Sequence, residues 1–449
     1  MKISFLVVLI SLFFPSFLFS QSCLPEGIIF YQQAQIDNFQ TDYPDCVEIE
    51  GDVSIGYEYP SDITNLDGLN ELTAIGGDLD INSHVLLTNL TGLEELVTIG
   101  GDLIIYDNES ITSLNGLNGL ISIGGNFSFR ENPNITNFSG LDALTSIEGT
   151  LDIGHSPSLT NLSGFETLTS TGGLSINYAH YISDLTGLNS LTYVDGYINI
   201  SSCDQLTNFE GLNALTTVTG TLSINSEGIT SLSGLEGLTS SGGFSVLNLE
   251  ITNLTGLNAL TTITGDLYIG GCDLLTSLSA LESLTYVGGD LSIGGNSILT
   301  SLSGIDNIDY QSITNLNITY NPALSTCEVK SVCDYLAAPG GDIFLFSNFD
   351  GCNSPEEVET ACNNLSIEIT NDESELVIFP NPASDKLFIK TKNEAAVDEV
   401  VIYDQLGKVV FKDNNIVESI DISELMNGMY VIEFEINNRK LREKLIIEE

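Results

Sequence analysis

Basic side chains are nearly missing from this chain: its 449 residues hold 12 Lys and Arg against 61 Asp and Glu. Nine of the twelve fall in residues 376 to 449, together with 14 of the acids, and Lys2 stands at the N-terminus. Residues 23 to 375 therefore set 47 acids against Arg130 and Lys330, a charge of −45. Such a field repels nucleic acid and anionic polymers, and two isolated cations cannot form a phosphate-reading patch. The same shortage argues against lyases acting on uronates, which need Lys or Arg to neutralise the substrate carboxylate. Tryptophan is absent, and the three histidines, His84, His155 and His180, have no recurring Ser or Cys partner that would make a nucleophile–base pair. After the first twenty residues no apolar run is long enough to span a membrane.

What remains is ample apolar material, 42% of the residues, and an export signal. Lys2, an apolar stretch over residues 5 to 19, and Ser20 before Gln21 have the order of a secretory signal peptide, expected at residues 1–20. Cys23 lacks the upstream leucine of a lipidation signal and reads as structural.

Between residues 63 and 323 the sequence repeats. Residues 87 to 110 read LTNLTGLEELVTIGGDLIIYDNES and residues 111 to 134 read ITSLNGLNGLISIGGNFSFRENPN; eleven copies start 22 to 24 residues apart. Apolar residues recur in columns at the first, fourth, seventh and tenth positions. A Gly-Gly turn then leads into a short alternating strand, as in Leu79/Ile81, Leu103/Ile105 and Leu291/Ile293. No copy has room for a strand and a long helix together. The expected fold is all-β: a right-handed parallel β-solenoid of about eleven coils, each burying its leucines only against its neighbours. Coils ~4.8 Å apart give a stack on the order of 50 Å long. The coils starting at Leu159 and Ile229 each lose one residue after the Gly-Gly turn, and carry Thr171 and Ser241 where others have Ile or Val. This combination predicts a local indentation.

Open solenoid ends need covering. The expected layout is an N-terminal cap at 21–50, the solenoid at 51–325, a cysteine-bearing cap at 326–365, a linker at 366–375 and a small β-sandwich at 376–449. The first cap contains QQAQIDNF, a short amphipathic helix; the second contains a helix start at Ser354-Pro355-Glu356-Glu357. Exported chains meet oxidising conditions, so Cys23 is expected to bond Cys46, and Cys327, Cys333, Cys352 and Cys362 to form two further bridges of open pairing. Cys203 and Cys272 fall in one column three coils apart, ~14 Å, too far for a disulfide. His180 is read into the same column. No cofactor or metal site is expected; calcium is the one cation that the acidic surface invites.

The C-terminal stretch resembles the sorting domain recognised by the type IX secretion system of Bacteroidetes. The resemblance rests on Pro380-Asn381-Pro382, the IYDQLGKVV hairpin with Gly407 and Lys408, the Gly428 and Tyr430 segment, and Lys444-Leu445-Ile446. It implies the secretion machinery and its sortase as partners, outer-membrane export, removal of this domain, and then release or attachment to surface lipopolysaccharide. The repeats resemble bacterial leucine-rich-repeat-like proteins related to the receptor L domain, through L-x-x-L-x-G-L…L-x-x-I-x-G-x-L-x-I and cysteine-bearing ends. That resemblance implies the solenoid fold; the scaffold hosts unrelated functions.

Outward positions beside the Gly-Gly strand supply a candidate binding face: Ile104, Tyr106, Arg130, Tyr178, Tyr181, Tyr197 and Tyr268. Acids such as Asp78, Asp102, Asp266 and Asp290 recur at repeat-defined surface positions and read as a solvated face. The functional reading is a secreted or surface-attached binding and adhesion protein with an extracellular protein or glycan as ligand. A structural surface-layer component is the alternative, followed by a solenoid carbohydrate-active enzyme.

Overall fold

The computed structural model describes residues 22–56, 61–365, 376–391, 397–404, 407–414, 419–436 and 439–448. The expected signal peptide at 1–20 and the expected linker at 366–375 lie outside the described residues. The chain divides into two compact units, one ending at Cys362 and the other starting at Asn363.

The first unit is a parallel β-solenoid. Within a coil, leucines spaced three apart drive two successive tight turns: Leu93 N–H donates to the Leu90 carbonyl and Leu96 N–H to that of Leu93. Each turn returns a leucine to the interior, and Leu87, Leu90, Leu93 and Leu96 are all fully buried. Between Leu90 and Leu93, Gly92 adopts φ +109, and a Cβ there would land on the Leu66 carbonyl of the preceding coil. A two-residue strand follows, then a corner, then a four-residue strand such as Leu103–Tyr106 with two residues inward. These strands pair in register with their copies above and below, Leu103 with Phe127 and Phe127 with Leu151.

The longer ladder starts at Ile28–Phe30 and ends at Ile343–Phe346, fourteen strands that enclose thirteen turns. Eleven turns was therefore an undercount. The added outer rungs lose the leucine-rich half of the repeat but keep its strand half, as in Gly51-Asp52-Val53-Ser54-Ile55 and Gly341-Asp342-Ile343-Phe344-Leu345, and their backbones pair like the rest. At ~4.8 Å per step the stack extends roughly 62 Å.

Three side-chain ladders finish the hydrogen bonding where backbone pairing stops. At the first corner, Asp102 N–H donates to Asp78 Oδ1 (2.7 Å), Asn126 N–H to Asp102 Oδ1 (2.6 Å) and Asp290 N–H to Asp266 Oδ1 (2.8 Å). The recurring aspartates thus serve the backbone of the next coil rather than forming only a solvated face. After the long strand, a residue with positive φ swings the chain inward. A buried Asn follows: Asn108 N–H donates to Asn132 Oδ1, and Asn132 Nδ2 donates to the Ile105 carbonyl of the preceding coil (2.9 Å). Threonine hydroxyls bridge coils on the turn-bearing side, as from Thr276 to the Thr252 carbonyl (2.9 Å).

The two shortened coils are explained by their odd hydroxyls. Corner and strands merge there into Ser170–Asn177 and Ser240–Leu247, with register shifts against the preceding coils. One residue fewer turns the Gly173 and Gly243 carbonyls toward the hydroxyls of Thr171 (2.9 Å) and Ser241 (2.5 Å), which donate to them. A polar side chain in the core and a missing residue are one device.

At the N-terminus, short helices Gln33–Asp37 and Phe39–Asp42 bury Ile36 and Phe39 against the first coils, beside the Cys23–Cys46 bond. At the other end, helices Lys330–Ala337 and Pro355–Leu365 cover the stack, fastened by Cys327–Cys352 and Cys333–Cys362. Glu357 N–H donates to Ser354 Oγ, as the Ser-Pro-Glu-Glu start predicts. Cys203 and Cys272 are free and buried.

The second unit holds two antiparallel sheets, of three and four strands, around one apolar cluster that includes Leu387, Ile420, Ile432 and Phe434. Among the described residues no helix is long and apolar enough to cross a membrane.

The account of the shortened coils makes a prediction. Thr171→Val keeps the shape but leaves the Gly149 and Gly173 carbonyls without their hydroxyl. It is expected to cost about 1–3 kcal/mol in chemical denaturation, more than Ile147→Val in the preceding, unshortened coil, at about 1 kcal/mol. Equal costs would contradict this reading.

Candidate functional site

Outward residues of the long ladder form columns, so side chains far apart in sequence meet at the rung spacing. One column runs Ile104, Ser128, Asp152, Ser175, Asn199; the next runs Tyr106, Arg130, Gly154, Asn177, Ser201. Arg130 reaches one rung along and grips Asp152 with both arms, Nε to Oδ2 and the terminal nitrogen to Oδ1, each 2.7 Å. This bidentate pair raises the guanidinium further above its ordinary value, against a smaller opposing effect of burial. Gly154 follows Arg130 in its column, and a Cβ there would meet the Asn177 carbonyl of the next rung.

Around this pair lies a shallow depression of ≈ 380 Å³, bounded at one end by Asp102 and Ile104 and at the other by Ser175 and Tyr197. The aspartate ladder lapses at its far side, because the next residue after Thr150 in that column is Gly173 of the first shortened coil. Tyr197 follows and stays half exposed (45%). Ser175, from the coil starting at Leu159 where the sequence suggests an indentation or kink, lines this depression. The depression also contains Asn126 and Asp152, which sequence reasoning passed over as ordinary turn and surface residues.

The predicted face is brought together only in part. Ile104, Arg130 and Tyr197 line the depression, and Tyr106 pairs in register with Arg130. Tyr268 shares the Ile104 column but sits seven rungs on, roughly 34 Å away. Tyr178 lies past the strand end in the positive-φ column, stacked on His155 with ring centroids 4.8 Å apart, and Tyr181 is exposed on the same corner. Glu131, His155 and Tyr178 hold this left-handed position on three successive rungs beside the depression; other coils use Ser, Asp, Asn or Gly there, and one uses Tyr320.

The histidines separate. His180 is not in the Cys203 column: the coil is one residue short, so Ala179 fills that buried position. His180 points outward and meets Asp204 through Nδ1 at 2.8 Å. Burial pushes the Cys203 thiol up to about 11, and Cys272 moves the same way, so neither is poised as a nucleophile. His84 is fully buried and occupies the asparagine column. Its Nε2 donates to the Ile55 carbonyl (3.0 Å), which leaves Nδ1 without a partner. Among the described residues no cluster of three or more His, Cys, Asp or Glu could hold a metal ion.

In the second unit the sequence motifs converge on one edge. Asn381, between Pro380 and Pro382, clamps the last strand: its Nδ2 donates to the Lys444 carbonyl (2.6 Å) and its Oδ1 accepts from Ile446 N–H (2.8 Å). Gly407, at φ +73, and Lys408 close a hairpin on Asp404. Tyr430 donates its hydroxyl to the Met426 carbonyl just upstream of Gly428 (2.7 Å). Gly407, Tyr430 and Lys444 line one groove together with Arg442 and Met429. Burial works against ionisation of Glu433, but Lys440 and Arg442 outweigh it and hold the carboxyl below its ordinary value.

The molecule is therefore a disulfide-capped parallel solenoid followed by a two-sheet module with a basic last strand. Residues 377–448 match the family of secretion system C-terminal sorting domains. The chain carries a type IX secretion sorting domain and is sent to the outer surface or the extracellular space, with the secretion machinery as partner. No curated protein matches it.

His84 supplies a pH prediction. Burial lowers its folded-state value below the ordinary 6.5, so the unfolded chain takes up the proton first and stability is lost as pH falls through that value. Asp80, on the strand Leu79–Asn82 just before His84, is raised by burial and responds in the opposite sense, so the comparison must isolate His84. His84→Asn matches the Asn column. Its melting temperature is expected to fall less than that of the wild type between about pH 7 and pH 5. Parallel curves would contradict the assignment.

Proposed function

We propose that this is a non-catalytic binding and adhesion protein that engages an extracellular ligand with the outer face of its long ladder. The observation that carries the reading is the depression at Arg130 and Asp152. It departs from an otherwise regular surface, with a fixed guanidinium–carboxylate pair and a half-exposed tyrosine at its end. A rigid sheet presenting such groups binds with little loss of side-chain freedom. The non-catalytic reading draws support from the histidines, which are buried, stacked or paired with Asp204, and from aspartates already engaged with backbone or Arg130. The solenoid resembles leucine-rich-repeat and receptor L-like scaffolds, whose surfaces serve recognition, and display on the outer surface suits such a role.

The test uses beads coated with the full-length protein over a panel of immobilised extracellular glycans and proteins. Retention is expected on at least one member, reduced about tenfold by Ile104→Asp with Tyr106→Asp and unchanged by Thr207→Asp on the turn-bearing side. Equal retention for all three proteins would overturn the assignment of the face.

A further inference from the structure

The geometry points to a neutral saccharide as the ligand of the Arg130–Asp152 depression, held by adjacent hydroxyls at its centre and by a sugar face against Tyr197. The inference deepens the proposed binding function and rests on it.

Charge comes first. Arg130 is one of two cations among the 47 acids of residues 23 to 375, and its charge is matched by Asp152 at 2.7 Å. Asp102 lines the same depression, and Glu131 follows Arg130 directly. A uronate, sulfate or phosphate would enter a field of net negative sign with no unmatched cation to receive it. A neutral polyol meets no such penalty.

Hydrogen-bonding groups come second. Asp152 spends one lone pair of each oxygen on Arg130 and keeps acceptor capacity on both, while Arg130 retains donors beyond the two that Asp152 takes. A fixed acceptor beside a fixed donor matches two neighbouring hydroxyls, each of which donates and accepts. Ser128, Thr150 and Asn126 add neutral groups of the same kind within the depression. Such a surface offers little to an apolar ligand.

Shape comes third. The depression is open and shallow, and its length along the ladder follows from the rung spacing. Ile104 and Tyr197 lie four rungs apart, roughly 19 Å, about the length of a short oligosaccharide rather than one ring. Tyr197 is half exposed on a rigid corner, and its aromatic face suits the C–H-rich face of a sugar ring while its hydroxyl stays wet. The ligand class is therefore an uncharged oligosaccharide chain lying along the stack.

The experiment applies the full-length protein to a printed array of neutral oligosaccharides beside uronate-containing and sulfated ones. Neutral chains are expected to bind selectively, with affinity falling about tenfold in Tyr197→Ala and in Asp152→Asn and holding in Tyr268→Ala, all at unchanged melting temperature. Selective capture of the charged glycans, or neutral binding that survives both Tyr197→Ala and Asp152→Asn, would overturn the saccharide site. A blank array with bead retention still abolished by Ile104→Asp and Tyr106→Asp would reject the saccharide while leaving the binding function standing.

Discussion

Every feature of the solenoid depends on one contact: a rung laid in register on the rung before it. Backbone pairing runs through the two strands of each coil and on to corner groups such as Gly101 N–H and the Gly77 carbonyl, but it leaves other corner N–H and carbonyl groups to be satisfied. The side-chain ladders close that gap. Asp78 and Asp102 serve one corner, Asn108 and Asn132 the other, and each side chain bonds the backbone of a neighbouring coil. A coil removed from its neighbours loses its apolar contacts, its strand pairing and its corner bonds together. This is why the ends need helices and disulfides, and why the repeat tolerates little variation at its inward positions.

The same constraint makes a binding face. Outward residues of a parallel stack inherit the rung spacing, so a side chain is placed by its position in the repeat, not by its distance along the chain. Arg130 and Asp152 are 22 residues apart and become a fixed pair because their rungs are adjacent. The shortened coil next to them interrupts the aspartate ladder and lets Tyr197 form an end wall. Local departures from the repeat are therefore where function can enter, since regular coils only reproduce one another.

Much of this was legible in the sequence, and the failures have physical causes. The leucine columns were readable because tight turns of three residues bring each leucine back inside, a period that survives substitution. Thirteen turns read as eleven because the copies are counted from their leucine-rich half, which the outer rungs lose, although the strand half survives in Gly51-Asp52-Val53-Ser54-Ile55 and Gly341-Asp342-Ile343-Phe344-Leu345. His180 was set one position off, since column arithmetic assumes equal coil lengths and its coil lacks a residue. The candidate face was recovered as a set of outward residues, but sequence spacing could not tell that Tyr268 lies far along the stack while Arg130 and Tyr197 share a depression. Asp152 gave no signal of its own; its meaning appears only when Arg130 is seen gripping it from the adjacent rung.

Cross-linking of adjacent rungs tests the stacking register most directly. Asn199 and Ser223 are register partners on the outward face, whereas Asn199 and Ser245 are two rungs apart. Adjacent rungs lie within disulfide reach and alternate rungs, at roughly 9.6 Å, do not. The account predicts that Asn199→Cys with Ser223→Cys oxidises to an intramolecular bond and that Asn199→Cys with Ser245→Cys does not. Bond formation by the alternate-rung pair, or by neither pair, would contradict it.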